Sequence, residues 1–211
     1  MPDGGVEDYS WSVDSKFLAY VSVKKMGKDY AVSTNSDIYL YDNTTGKTIN
    51  VSEGMMGYDK NPVFSPDGRY LAWTSMARDG YEADKNDIII LDLKSKIKQK
   101  LTNNWDETVT QFLWSKDSKF IYASLPYRGT VQLFSISIPE NPQQPVQFKK
   151  ITNTEHDYSN LIGIHNQTLY CHRTDMNHAA ELFAIDIITG NATQLTHINT
   201  CLLYTSDAAD E

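Results

Sequence analysis

The chain has 211 residues, of which 40% are hydrophobic and 22% are charged, which excludes an intrinsically disordered protein. Its formal net charge of -8 disfavours nucleic acid as a partner, because an acidic surface repels phosphate and the sequence has no extended basic patch. No apolar run approaches the ~18 residues of a membrane-spanning helix, and two cysteines are too few for a disulfide framework or a four-cysteine zinc site.

One pattern, aromatic-Ser-x-Asp-Gly/Ser-basic-aromatic, recurs along the chain. The copies are 9–20, 62–73, 112–123 and, in degenerate form, 161–170. In the Ser-Pro-Asp-Gly form of the pattern, at 65–68, Pro fixes φ, Asp accepts a hydrogen bond from the following backbone and Gly takes a positive φ, so the pattern predicts a tight hairpin turn between two strands. The carboxylates of Asp14, Asp67 and Asp117 are therefore interpreted as turn formers and not as a catalytic set.

A further alternating strand follows each hairpin. These strands are Asp37–Asp42, Asp87–Asp92, Val131–Ile136 and Glu181–Asp186. After a short turn, each repeat closes on an apolar residue and a hydroxyl. These pairs are Val51-Ser52, Leu101-Thr102, Ile151-Thr152 and Leu195-Thr196. A unit of four short strands that recurs every ~40–50 residues is typical of a β-propeller blade.

The sequence thus predicts an all-β fold in which residues 1–200 form a partial β-propeller of about four blades, each of four antiparallel strands. The predicted blades are 9–55, 56–105, 106–155 and 156–200. The last residues, 201–211, break the pattern and resemble the translated read-through of a transposase sequencing adapter, so they are interpreted as a non-native tail; a natural frayed terminus is the alternative. An arc of a larger ring is favoured over a closed four-bladed propeller.

The usual catalytic motifs are absent from the sequence. It contains no Gly-x-Ser-x-Gly nucleophile elbow, no phosphate-binding glycine loop and no His-Glu-x-x-His. We therefore expect no catalytic residue, no cofactor and no metal site in this chain. His172 and His178, on either side of Asp175, are interpreted as solvated loop histidines, and Cys171 as a small buried strand residue.

Two connections, 24–36 and 75–86, are longer than hairpin loops of about two to five residues, and both mix aromatic with charged side chains. Long loops on a rigid scaffold are common places for binding residues. Within 75–86 the candidates for contact with a partner domain or a substrate channel are Arg78, Asp79, Tyr81 and Glu82. The alternative is a solvent-exposed elaboration without a binding role.

Three segments, 5–12, 57–68 and 75–86, resemble the N-terminal propeller of prolyl oligopeptidase family serine peptidases, and of bacterial dipeptidyl and acylaminoacyl peptidases in particular. The resemblance covers residues 5 to about 200. It implies a seven-bladed propeller packed on a C-terminal α/β-hydrolase domain, whose Ser-Asp-His triad attacks the peptide carbonyl. None of the triad residues maps onto this sequence, because that domain is absent from it.

The same resemblance implies a function. The propeller of such a peptidase restricts access to short peptides, its partners are its own hydrolase domain and the peptide, and it lies in the periplasm or outside the bacterial cell. Glu82 is then a candidate to pair with the α-ammonium of a peptide. The alternative is a non-enzymatic propeller of the Tol-system type, a protein-interaction platform in the bacterial envelope, which should lack the long loop 75–86.

Overall fold

A computed structural model describes residues 9–141 and 143–199 of the chain. These residues form four four-stranded sheets in which every pair of neighbouring strands is antiparallel. The all-β fold with about four blades of four antiparallel strands is therefore confirmed. The predicted read-through segment 201–211 lies outside the described residues.

Each sheet is a simple meander, because each strand pairs with the next one along the chain. The first sheet contains β1 (Tyr9–Trp11), β2 (Phe17–Ser22), β3 (Asp37–Asp42) and β4 (Thr48–Asn50). The second contains β5 (Asp59–Phe64), β6 (Tyr70–Ser75), β7 (Asp87–Asp92) and β8 (Lys98–Lys100). The third contains β9 (Gln111–Trp114), β10 (Phe120–Tyr127), β11 (Thr130–Ser137) and β12 (Phe148–Lys150). The fourth contains β13 (Asp157–His165), β14 (Thr168–Thr174), β15 (Glu181–Asp186) and β16 (Ala192–Gln194).

The described residues divide into two compact units. Unit 1 contains the first two sheets and residues 138–146, and unit 2 contains the last two sheets. In unit 1, alternate residues of the first two sheets form one apolar core that includes Ile38, Leu71 and Trp73, all of them fully buried. The core of unit 2 is built in the same way around residues such as Leu169 and Ile185. Each core buries one face of two sheets, as period-two strands require.

The repeated Ser and Asp hold the first hairpin turn of a sheet. In the β5–β6 turn, Ser65 Oγ donates to the Asp67 carboxylate at 2.6 Å and accepts the Tyr70 N–H at 2.8 Å, and Asp67 accepts the Arg69 N–H at 3.0 Å. The same contacts recur around Ser12 and Asp14, and around Ser115 and Asp117. The residue after the Asp has a positive φ, 71° at Gly68. These aspartates are turn formers, as the sequence predicted.

The hydroxyl that closes each repeat ties the end of the fourth strand to the start of the third. Thr102 Oγ1 accepts the Ile88 N–H at 3.1 Å and donates to the Asp87 carboxylate at 2.6 Å. Equivalent bonds join Ser52 to Ile38 and Asp37, Thr152 to Leu133 and Gln132, and Thr196 to Leu182 and Glu181. Because an N–H at this buried position would otherwise lack an acceptor, the apolar-hydroxyl pair recurs in the sequence.

Two local features were not predicted from the sequence. The β2–β3 connection contains a helix, α1 (Lys28–Val32), of five residues, which is too short to produce a helical period in the sequence. The register of β5 shifts between Lys60 and Val63, where Asn61 has a φ of 55°. Such a β-bulge inserts an extra residue, interrupts the alternation of the strand and changes the direction of neighbouring side chains.

Candidate functional site

A cleft of about 630 Å³ lies in unit 1. Two connections and the beginning of β5 surround it: the first long loop (residues 23–36, between β2 and β3) and the second long loop (residues 76–86, between β6 and β7). The lining residues are Val23, Tyr30, Ala31, Ser33, Thr34, Tyr58, Lys60, Met76 and Glu82. The volume is within the usual range of about 300–1,000 Å³ for small-ligand sites, and most of the lining residues are apolar or aromatic.

Asp79 fastens the second long loop to the first. Its carboxylate accepts hydrogen bonds from the Ser33 hydroxyl at 2.7 Å and from the Thr34 N–H at 2.8 Å, and Lys25 Nζ lies 3.5 Å away. A return bond runs from the Gly80 N–H to Thr34 Oγ1 at 2.8 Å. The Ser33 hydroxyl, the Thr34 N–H and the Lys25 charge lower the pKa of the Asp79 carboxyl, so it is ionised at neutral pH. Asp79 therefore braces the edge of the cleft.

Arg78 and Tyr81 interact within the second long loop. The Arg78 Nε donates to the Asp84 carboxylate at 3.0 Å, and the guanidinium carbon lies 3.9 Å from the centre of the Tyr81 ring. The hydrogen bond to Asp84 raises the pKa of Arg78, and the hydrogen bond from Arg78 lowers the pKa of Asp84. An ion pair combined with a cation–π contact stabilises the shape of an exposed loop. Both side chains are thus occupied by the loop itself.

A close backbone approach positions Met76 at the cleft. The Met76 N–H donates to the Tyr58 carbonyl at 3.2 Å. A Cβ on the adjacent Gly57 would lie 1.9 Å from the Met76 carbonyl oxygen, so only glycine fits at residue 57 without a backbone shift. This contact holds the start of the second long loop against the chain that leads into β5.

Glu82 is the one sequence candidate that lines the cleft. In the described part of the chain its carboxylate makes no ion pair and no hydrogen bond. Arg78, Asp79 and Tyr81 lie in the same loop but contact loop atoms. The sequence did not identify Tyr58 or Lys60, which precede and begin β5, nor Tyr30 of α1. Their sequence signals were regional: Tyr58 and Lys60 fall within segment 57–68, one of the three that carried the family resemblance, and Tyr30 falls within the long connection 24–36.

Of the two histidines interpreted as loop residues from the sequence, His178 follows β14 and is exposed, but His172 lies within β14 and is half-buried. Asp175 accepts the His178 and Asn177 N–H groups, its carboxylate lies 2.8 Å from His178 Nδ1, and His156 Nε2 is 3.4 Å away. The Asn177 N–H and the His178 side chain lower the pKa of Asp175. Across residues 9–141 and 143–199, no group of three or more His, Cys, Asp or Glu side chains is arranged to hold a metal ion. Burial raises the pKa of the Cys171 thiol to about 12, so this thiol is unreactive at neutral pH.

Comparison with known sequences gives a match over nearly the whole chain. The model of the family described as "PD40: TolB beta propeller domain" matches residues 8–202. A protein of Porphyromonas gingivalis named dipeptidyl-peptidase 5 is 38% identical over 202 residues, which are 96% of this chain and 29% of that protein. The chain therefore spans less than a third of the length of this curated relative.

Solved structures share the fold. TolB from Acinetobacter baumannii superposes with a TM-score of 0.62 at 21% identity, over 90% of this chain and 43% of that one. Prolyl oligopeptidase B from Galerina marginata gives a TM-score of 0.67 at 12% identity, over 91% of this chain and 28% of that one. Together with the sequence matches, they confirm the partial β-propeller and the resemblance to prolyl oligopeptidase family propellers. Among the described residues, no helix has the length and apolar character needed to cross a membrane.

Proposed function

Because the chain belongs to the TolB β-propeller domain family, we propose that it is the propeller of a dipeptidyl peptidase and restricts the access of short peptides to a separate hydrolase domain. The observation that carries this proposal is the 38% identity to a dipeptidyl-peptidase 5 along 96% of the chain. That relative is more than three times as long as the matched region, which leaves ample length for a catalytic domain of its own. In this proposal the chain contributes no catalytic residue.

In this proposal the four sheets, which lie within residues 1–200, are four blades of a larger ring. We place the parent protein in the periplasm or outside the bacterial cell, as the resemblance to bacterial dipeptidyl peptidases implies. The serine chemistry belongs to the hydrolase domain, with a Ser-Asp-His triad that this chain does not contain.

Glu82 is proposed to bind the α-ammonium of the peptide substrate. Its carboxylate lines the cleft without a partner among the described residues, whereas Asp79 and Asp84 of the same loop are occupied. Glu82 is exposed, so the charged end of a peptide can reach its carboxylate, and Val23 and Met76 add apolar surface to the same cleft. The cleft thus offers one unpaired negative charge to the end of a peptide.

Steady-state kinetics on the full-length protein test the proposal. Glu82→Gln is expected to raise KM for dipeptidyl substrates by about tenfold with little change in kcat, because a ground-state charge contact is lost. Glu53→Gln is the matched control, since Glu53 is exposed and does not line the cleft. Unchanged KM and kcat in Glu82→Gln contradict the role of Glu82. A parent protein without a Gly-x-Ser-x-Gly motif, and inert towards peptides, supports the Tol-type platform instead.

A further inference from the structure

Lys60 is a second charge that lines the cleft. Its Nζ lies 4.9 Å from the centre of the Tyr58 ring. Within the described chain it forms no ion pair with any carboxylate, Glu82 included. Two pairs of charged groups in the long loops already neutralise each other, Lys25 with Asp79 and Arg78 with Asp84. A cation that contacts only an aromatic ring keeps its hydrogen-bond donors available for a ligand.

The backbone around Lys60 is fixed by partly buried hydrogen bonds. Thr74, which is 1% exposed, donates from Oγ1 to the Lys60 carbonyl at 3.1 Å and accepts from Asn61 Nδ2 at 3.3 Å. Asn61 takes a φ of 55°, in the left-handed region that few residues other than glycine adopt and that Asn adopts more often than most. The bulge that results interrupts the alternation of β5 directly after Lys60. Bulges of this kind orient side chains at binding sites, so Lys60 is presented from a rigid strand and not from a mobile loop.

Two opposite charges therefore line one cleft without neutralising each other. The remaining walls are supplied by Val23, Tyr30, Tyr58 and Met76, which suit apolar side chains. We propose that the cleft binds short, zwitterionic peptides with apolar side chains, and that Lys60 receives the terminal carboxylate while Glu82 receives the ammonium. The role of Glu82 in this inference rests on the proposed function. The inference adds that the peptide must have a free terminal carboxylate for Lys60 to bind.

The consequence is selection by length. A peptide satisfies both charges only when its two ends lie within the same cleft, so a short free peptide binds better than a longer chain with the same first residues. Pairing of both ends also aligns the peptide in one direction, because exchanging the ends would place like charges together. Lys60 is thus a specificity-determining residue of the propeller.

Calorimetric titration of the full-length protein with the dipeptide Ala-Phe, its C-terminal amide and its N-acetyl form tests the inference. Amidation removes the carboxylate and is expected to weaken binding to the wild type by about tenfold. With Lys60→Met, amidation is expected to change binding by less than about twofold, because the cation is gone. Lys47→Met is the matched control: Lys47 is exposed in the β3–β4 turn and does not line the cleft.

The outcomes separate the two proposals. Equal affinity of the wild type for Ala-Phe and its amide overturns the role of Lys60, while weaker binding of the N-acetyl form in the same experiment still supports Glu82. Loss of the amidation effect in Lys47→Met as well as in Lys60→Met also overturns it, because the effect is then one of net charge. If free Ala-Phe does not bind at millimolar concentration, the proposed pairing of both peptide ends within the cleft is overturned, while the kinetics of Glu82→Gln test the ammonium site separately. Unchanged thermal unfolding of Lys60→Met checks that the fold is intact.

Discussion

Two buried aspartates of unit 1 have opposite electrostatic environments and form a matched pair for mutation. Asp59 of β5 and Asp87 of β7 are both in register with Ser75 of β6, and they are 0% and 3% exposed. The Asp87 carboxylate lies 2.8 Å from Lys85 Nζ and 2.7 Å from Lys100 Nζ. Among the described residues, no donor lies at hydrogen-bonding distance and angle to either carboxylate oxygen of Asp59.

The pKa values of the two groups move in opposite directions. Burial raises the pKa of Asp59 from 3.8 to about 6, and the neighbouring donors of Ser75, Ser52 and Trp73 offset only part of that effect. Burial acts in the same direction on Asp87, but Lys100 and Lys85, together with Thr102, outweigh it and lower the pKa of that carboxyl.

The sign of the pH effect follows from linkage. Because the pKa of Asp59 is higher in the folded state, the folded protein keeps a proton that the unfolded chain has already released, so stability falls as the pH rises from 3.8 to about 6. The difference between a pKa of 3.8 and one of about 6 corresponds to a change of ~3 kcal/mol in the free energy of unfolding. Asp59→Asn removes the ionisation, so it is expected to be nearly neutral at about pH 4 and to stabilise by ~2–3 kcal/mol at about pH 7.5.

Urea unfolding of the wild type and Asp59→Asn at these two pH values measures the difference directly. Asp87→Asn is the control with the opposite sign: it loses two ion pairs, so it is expected to destabilise at neutral pH and to do so less in acid. The reasoning is refuted if Asp59→Asn changes stability equally at both pH values, or if it destabilises at neutral pH.

Two further predictions concern backbone contacts, and both are measured by urea unfolding. Gly57→Ala brings a Cβ to 1.9 Å from the Met76 carbonyl oxygen and is expected to cost about 1–3 kcal/mol. Gly163→Ala, whose Cβ meets no atom within 4 Å, should change stability by less than about 0.5 kcal/mol, and equal effects of the two substitutions would argue against the close contact. Thr152→Val removes the acceptor of the buried Leu133 N–H and is expected to cost about 1–3 kcal/mol; a neutral result would mean that another acceptor replaces it.

The regular part of the fold could be predicted because its signals are local. The strands Asp37–Asp42, Asp87–Asp92 and Glu181–Asp186 were predicted with the bounds that the structure has. The alternation of apolar and polar residues within a strand indicates which face is buried, and the turn residues indicate where the chain reverses. A few neighbouring residues are therefore enough to locate each strand and its buried face. The recurrence of the same signals along the chain then identified the four sheets.

The geometry of the cleft could not be predicted in the same way. The contacts of Asp79 join residues that are 44 to 54 positions apart in the chain. Nothing in the local sequence distinguishes Asp79, which braces two loops, from Glu82, which faces the cleft. Lys60 was missed because the bulge at Asn61 breaks the alternation that a strand prediction relies on.

The charged residues around the cleft differ in whether a protein partner already neutralises their charge. Asp79 and Asp84 are ionised and fully committed to donors within unit 1, so a ligand would have to displace those donors to reach them. Glu82 and Lys60 require no such exchange, because each lines the cleft without an oppositely charged partner in the described residues. Since binding energy depends on the difference between the free and bound states, an unpaired charge at a cleft gains more from a ligand than a paired one. Glu82 and Lys60 are therefore charges of the cleft that a ligand can reach without displacing an ion-pair partner among the described residues.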